Sequence, residues 1–106
     1  MVGYPAILPE TGGGCFPIVP MVATDVTYLR GVEKALNATL KARALAAGDY
    51  YVDLYTPSIG HDACSSNRWV EPIVPNTAAA PVHPNATGMS AFAPVVSKAI
   101  NAVVTS

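Results

Sequence analysis

Between residues 25 and 47 the apolar positions Leu29, Val32, Leu36 and Leu40 recur at three- and four-residue steps, the stripe of an amphipathic helix. Arg30, Glu33, Lys34, Asn37 and Lys41 fall largely off that stripe. Asp25 is placed to cap the start of this helix and Gly48 to end it, as a short polar acceptor and a residue free to take positive φ should. A second stripe, Met89, Phe92, Val96, Ile100 and Val103, predicts a helix from Thr87 to about Val104. Pro94 inside it is expected to kink the helix or mark its first turn. Tyr50 to Tyr55 is rich in strand formers, and residues 2–8 read as the end of a strand stopped by Pro9. The stretches 9–24 and 56–84 are broken repeatedly by proline and glycine and are expected to be irregular.

The order is strand, loop, helix, strand, loop, helix, which is α/β. The run of helix, glycine and strand is the second half of a βαβ unit. Two strands do not make an independently stable parallel sheet, because its faces and edges need cover. The pattern therefore reads as a single incomplete domain over residues 1–106, the C-terminal portion of a larger doubly wound one. Met1 leading straight into Val2-Gly3-Tyr4-Pro5 fits a start in mid-strand. Ligands of such sheets bind beyond the carboxyl ends of the strands. Both long loops leave strand ends on that side, and His83 lies on the second.

Only 12% of the residues are charged, the net charge is −1, and the six lysines and arginines are scattered. Nucleic-acid binding thus lacks its electrostatic footprint. No apolar run approaches the roughly 20 residues of a membrane span, and no secretory signal is visible. Cys15 and Cys64 are too few for a typical zinc site without two well-placed histidines. They suit one disulfide in an oxidising compartment, with two buried free thiols as the alternative.

His83, held between Pro81 and Pro84 ahead of the last helix, is a candidate general base, since imidazole titrates near neutral pH. His61 with Asp62 reads as structural rather than as a second pair or a metal site. Asp53 is suited to bonding backbone amides. Trp69 lines an acyl pocket or belongs to the core. Asn37-Ala38-Thr39 and Asn85-Ala86-Thr87 match the glycosylation pattern by chance.

Taken in order, Gly3-Tyr4-Pro5 with Gly14-Cys15, Tyr51-Val52-Asp53 leading to Ser58-Ile59-Gly60-His61-Asp62-Ala63-Cys64, Trp69-Val70-Glu71-Pro72, and His83-Pro84-Asn85 with Gly88 resemble the SGNH (GDSL-type) ester hydrolases, most of all the secreted lipases and esterases of actinobacteria. The resemblance implies the C-terminal half of a three-layer α/β/α, flavodoxin-like domain, with parallel strands and flanking helices. It implies hydrolysis of carboxylic esters through an acyl-serine, an ester or lipid substrate, secretion, and no metal or cofactor. It carries the catalytic histidine to His83. The family's aspartate position is Ala80 here, so the resemblance gives the orienting role to the Ala80 main-chain carbonyl, which accepts the Nδ1 proton and leaves Nε2 as base. It also implies a Cys15–Cys64 disulfide.

The segments that bear the family's nucleophilic serine and oxyanion hole have no counterpart here, and Ser58, Ser65, Ser66 and Ser90 are not in the nucleophile's context. Nucleophile and base must lie within hydrogen-bond reach, so this polypeptide alone is expected to be a poor esterase or none. A second reading is a non-catalytic fragment that associates through an open sheet edge with a complementary N-terminal half or, as a homodimer, with itself. A third is a small disulfide-stapled binding domain.

Overall fold

The computed structural model describes residues 1–105. Its helices are α1 (Ala23–Ala46), α2 (Tyr55–Ser58) and α3 (Ala86–Val104). The expected parallel pairing is present as a single rung between Val2 and Val52. There the Gly3 N–H donates to the Val52 carbonyl at 3.0 Å and the Val52 N–H to the Met1 carbonyl at 2.9 Å. Neither predicted strand runs its full length. Pro5 has no N–H to give, and the Asp53 carboxylate accepts the Tyr55 and Thr56 N–H groups at 2.8 and 3.1 Å. That turns the chain into α2, which begins inside the run expected as strand. The Cα radius of gyration, 14.7 Å, and extents of 47 × 26 × 19 Å describe a slab rather than a ball, against about 13 Å for a compact chain of this length.

The core lies among the loops. Leu8, Val19, Val26, Ala63 and Val70 form one buried cluster, with Ile7, Cys15, Met21 and Cys64 packed against it. Cys15 and Cys64 are disulfide-bonded, Cα to Cα 5.7 Å, so the two long loops are tied together against that cluster. In the first loop Cys15 and Val19 exchange backbone hydrogen bonds at 2.9 and 2.7 Å around a cis Phe16–Pro17 bond.

Helix α1 starts two residues before Asp25, behind a Val22 cap that makes no side-chain bond, and ends before Gly48 at φ 78°. Its faces are the reverse of what the apolar stripe suggests. Leu29, Val32 and Leu36 are exposed, at 38, 49 and 43%, whereas Val26, Asn37 and Ala44 are buried. The polar residues off the stripe grip the extended N-terminal segment. Asn37 Oδ1 accepts the Tyr4 N–H at 2.8 Å, and Asn37 Nδ2 donates to the Tyr4 carbonyl at 2.9 Å. Arg30 donates to the Pro9 carbonyl at 2.6 Å, and Lys34 pairs with Glu10 at 3.0 Å. A segment with no strand on that side has main-chain groups to satisfy, and Asn37 and Arg30 satisfy those of Tyr4 and Pro9.

Candidate active site

Residues 69–71 and 82–85 run antiparallel as a short ribbon, bridged at Val70 and Pro84. The Asn85 N–H donates to the Trp69 carbonyl at 3.0 Å, the Glu71 N–H to the His83 carbonyl at 2.9 Å, and the Val82 N–H to the Glu71 carbonyl at 3.0 Å. Val82 has φ 55°, a left-handed conformation that strains a β-branched residue.

His83 follows that turn and is exposed. Its Nδ1 lies 2.8 Å from the Pro81 carbonyl oxygen. A carbonyl only accepts, so Nδ1 carries a proton, and in the neutral ring that leaves the lone pair on Nε2. The carbonyl on Nδ1 is therefore that of Pro81, not that of Ala80. The Ala80 carbonyl instead accepts the backbone N–H of His83 at 3.2 Å. The left-handed Val82 reverses the chain sharply, which brings the carbonyl two residues back, rather than three, to the ring.

Beneath this turn Glu71 is 1% exposed. One carboxylate oxygen accepts the Asn76 and Thr77 N–H groups at 2.7 and 2.9 Å, and the other accepts Asn85 Nδ2 at 2.9 Å. The Asn85 bond, helped by the two N–H groups, outweighs desolvation and holds the carboxyl below the usual carboxylate range. Asn85 Nδ2 also donates to the Arg68 carbonyl at 3.0 Å, while its Oδ1 accepts the Gly88 N–H at 2.9 Å and caps α3. Gly88 is tight against the ribbon: a Cβ there would overlap the Trp69 carbonyl.

The remaining candidates are placed as follows. Trp69 is half-buried, with His61 stacked on it at 3.8 Å and Phe92 at right angles 5.5 Å away. His61 and Asp62 do not pair. His61 Nδ1 lies 2.9 Å from the Asn67 carbonyl, and the Asp62 carboxylate accepts the Cys64 N–H at 2.9 Å. Among the described residues His83 bonds no serine. Ser58 accepts the Ala6 N–H and donates to the Tyr55 carbonyl, both at 2.8 Å, and Ser65 accepts the Asn67 N–H at 3.0 Å. Both glycosylation-pattern asparagines, Asn37 and Asn85, are buried. Sequence reasoning missed Pro81, the strained Val82 and the hub role of Glu71. The available signal was a glutamate set among Trp69, Val70 and Pro72 in a chain so poor in charge.

Two apolar grooves open beside the site. One, about 370 Å³, runs between α1 and the N-terminal segment past Tyr4, Leu8, Leu29, Val32, Leu36 and Val82. Glu33 lies in it. Its Oε2 accepts the Ile7 N–H at 3.5 Å, and its Oε1 is buried without a partner. Burial, reinforced by the charge of Glu10, pushes its carboxyl up to about 7 against the opposing Ile7 bond. The second groove, about 470 Å³, lies between Pro84 and α3, along Leu54, Met89, Phe92 and Ile100.

The chain is 43% identical over 90 residues to Lipase 2 of Streptomyces coelicolor, an alignment covering 82% of this chain and 30% of that protein. Its fold superposes on the crystal structure of phospholipase A1 from Streptomyces albidoflavus NA297 with a TM-score of 0.78 and 26% identity, covering 92% of this chain and 40% of the other. No family model matches. The fold is thus that of a lipase-type ester hydrolase, in part. With the ordered motifs above, these likenesses support an SGNH (GDSL-type) ester hydrolase over part of its relatives' length. It spans less than half the length of each of these two relatives.

Proposed function

We propose that this chain supplies the histidine loop of a secreted carboxylic ester hydrolase of the lipase type. His83 is the general base: Nε2 takes the proton of a serine nucleophile and returns it to the leaving alcohol. The observation that carries this reading is the 2.8 Å contact of Nδ1 with the Pro81 carbonyl, which fixes the tautomer a base needs. A carbonyl orients the ring without a full negative charge, so imidazolium is stabilised less than beside an aspartate. The nucleophile and the oxyanion donors come from segments like those the longer relatives have in addition. With them the elements described here complete a three-layer α/β/α domain. The disulfide suits an oxidising, extracellular setting.

The test is complementation. The chain is mixed with the remainder of Streptomyces coelicolor Lipase 2 and assayed on a short-chain p-nitrophenyl ester, with and without a serine-reactive phosphonate. Phosphonate-sensitive turnover that needs both pieces and disappears with His83→Ala supports the reading. Turnover unaffected by His83→Ala overturns it.

The two apolar grooves favour a second reading, a non-catalytic piece that acts by association. With Leu29, Val32, Leu36 and Ile100 all exposed, a complementary half or a second copy has an apolar surface to cover. A stable complex with no turnover in the same mixture is the outcome expected of it.

A further inference from the structure

The loop that carries His83 has little regular structure to hold it, and its tip is strained. What does hold it converges on one side chain. Glu71 grips the loop at both flanks: through Asn76 and Thr77 on the way in, and through Asn85 on the way out. Its main chain holds the tip itself, donating to the His83 carbonyl and accepting from the Val82 N–H on either side of the left-handed residue. A strained backbone persists only where its surroundings over-determine it. Glu71 is buried but is not a member of the hydrophobic cluster Leu8, Val19, Val26, Ala63 and Val70. Burying a carboxylate costs stability unless its oxygens are fully bonded, and here every bond it accepts comes from the loop. We propose that Glu71 is a positioning residue for the general base. Its carboxylate, acting with Asn85, fixes the turn that sets His83 Nδ1 on the Pro81 carbonyl and aims Nε2 outward.

This rests on His83 being the base, but its geometric part is measurable without turnover. In Glu71→Gln the amide oxygen keeps the Asn76 and Thr77 N–H groups, and the amide nitrogen then faces Asn85 Nδ2, donor against donor. The link to the exit side breaks, while the shape of the side chain is retained. Long-range ¹H–¹⁵N correlation on the chain itself reads the ring protons. The expected result is loss of the single Nδ1–H tautomer at His83, with the His61 signals unchanged because its Asn67 partner is untouched. If Glu71→Gln does not fold, Asn85→Ser decides. Serine still caps α3 but drops the bonds to Glu71 and to the Arg68 carbonyl, and the same change at His83 is expected. An unchanged His83 tautomer in whichever variant folds overturns the proposal.

In the complemented enzyme Glu71→Gln should lower kcat roughly 10- to 100-fold with KM little changed, since misplacing a catalytic group costs rate more than binding. A KM effect alone, or an unchanged kcat, overturns the positioning role. Failure of the base assignment shows separately, as activity that survives His83→Ala whatever the tautomer does.

Discussion

Glu33→Gln isolates one buried proton. In the folded chain burial holds the Glu33 carboxyl near pH 7 against an ordinary value of 4.5, while in the unfolded chain it ionises normally. As pH rises from about 4.5 to 7 the unfolded state releases this proton and the folded state keeps it, so folding stability falls through that window and levels off above it. The full shift corresponds to about 3 kcal/mol at ~1.4 kcal/mol per pH unit. Glu33 faces an open groove, so solvent screening reduces the expected effect to about 1–2 kcal/mol. Glutamine keeps an oxygen for the Ile7 N–H and cannot ionise. The variant should match the wild type below pH 4.5 and exceed it by a margin that grows to about 1–2 kcal/mol at pH 8. Urea unfolding of both proteins from pH 4 to pH 8 reads this directly. A margin that is the same at every pH, or a variant weaker than the wild type at pH 8, would refute the argument from burial.

Reducing the Cys15–Cys64 bond, which closes 49 residues, should cost about 4 kcal/mol on chain entropy alone; a urea midpoint unmoved by dithiothreitol would contradict this. Gly88→Ala drives a methyl group onto the Trp69 carbonyl and should destabilise by about 1–3 kcal/mol, with loss of the His61–Trp69 stacking signal in near-UV circular dichroism; an unchanged spectrum and melting temperature would show that the ribbon yields freely. Val82→Gly relieves a left-handed β-branched residue but frees the unfolded chain, so stability should change by less than about 1 kcal/mol, while amide exchange at His83 speeds up; slower exchange would mean that Val82 does not strain the turn.

Much of this was legible from periodicity and spacing. The presence of helix α3, the approximate extent of α1, the Gly48 stop and the parallel sense of the Val2–Val52 pairing follow from local rules, whereas of the α3 stripe Phe92 is buried and Met89 and Ile100 are exposed. The misreadings share a cause. A stripe such as Leu29, Val32 and Leu36 normally faces the core, yet here the neighbouring segment is nearly alone, and its unpaired backbone draws the polar face of α1 instead. Tyr50 to Tyr55 has the composition of a strand, but Val52 has one pairing partner, and Asp53 turns the chain before a second rung forms. Pro81 replaces Ala80 on the imidazole because a positive φ at a valine is invisible to any propensity.

The same device recurs wherever this chain buries a polar residue. Asn37 presents its amide to both groups of Tyr4 as a neighbouring strand would. Ser58 accepts the Ala6 N–H, Asp62 the Cys64 N–H, Asn85 the Gly88 N–H, and Glu71 those of Asn76 and Thr77. Each pairs a main-chain group that no strand ladder satisfies, and truncation at the buried ones, Ser58 to Ala6 and Asn85 to Gly88, should cost about 1–3 kcal/mol apiece. The histidine loop is therefore built on the principle that holds the rest of the chain. Its order comes from side chains clamping backbone, and two of those clamps, Glu71 and Asn85, bond each other. For that reason the geometry at His83 is set within residues 68–88, whereas the grooves between α1, α3 and the N-terminal segment are what a covering partner would complete.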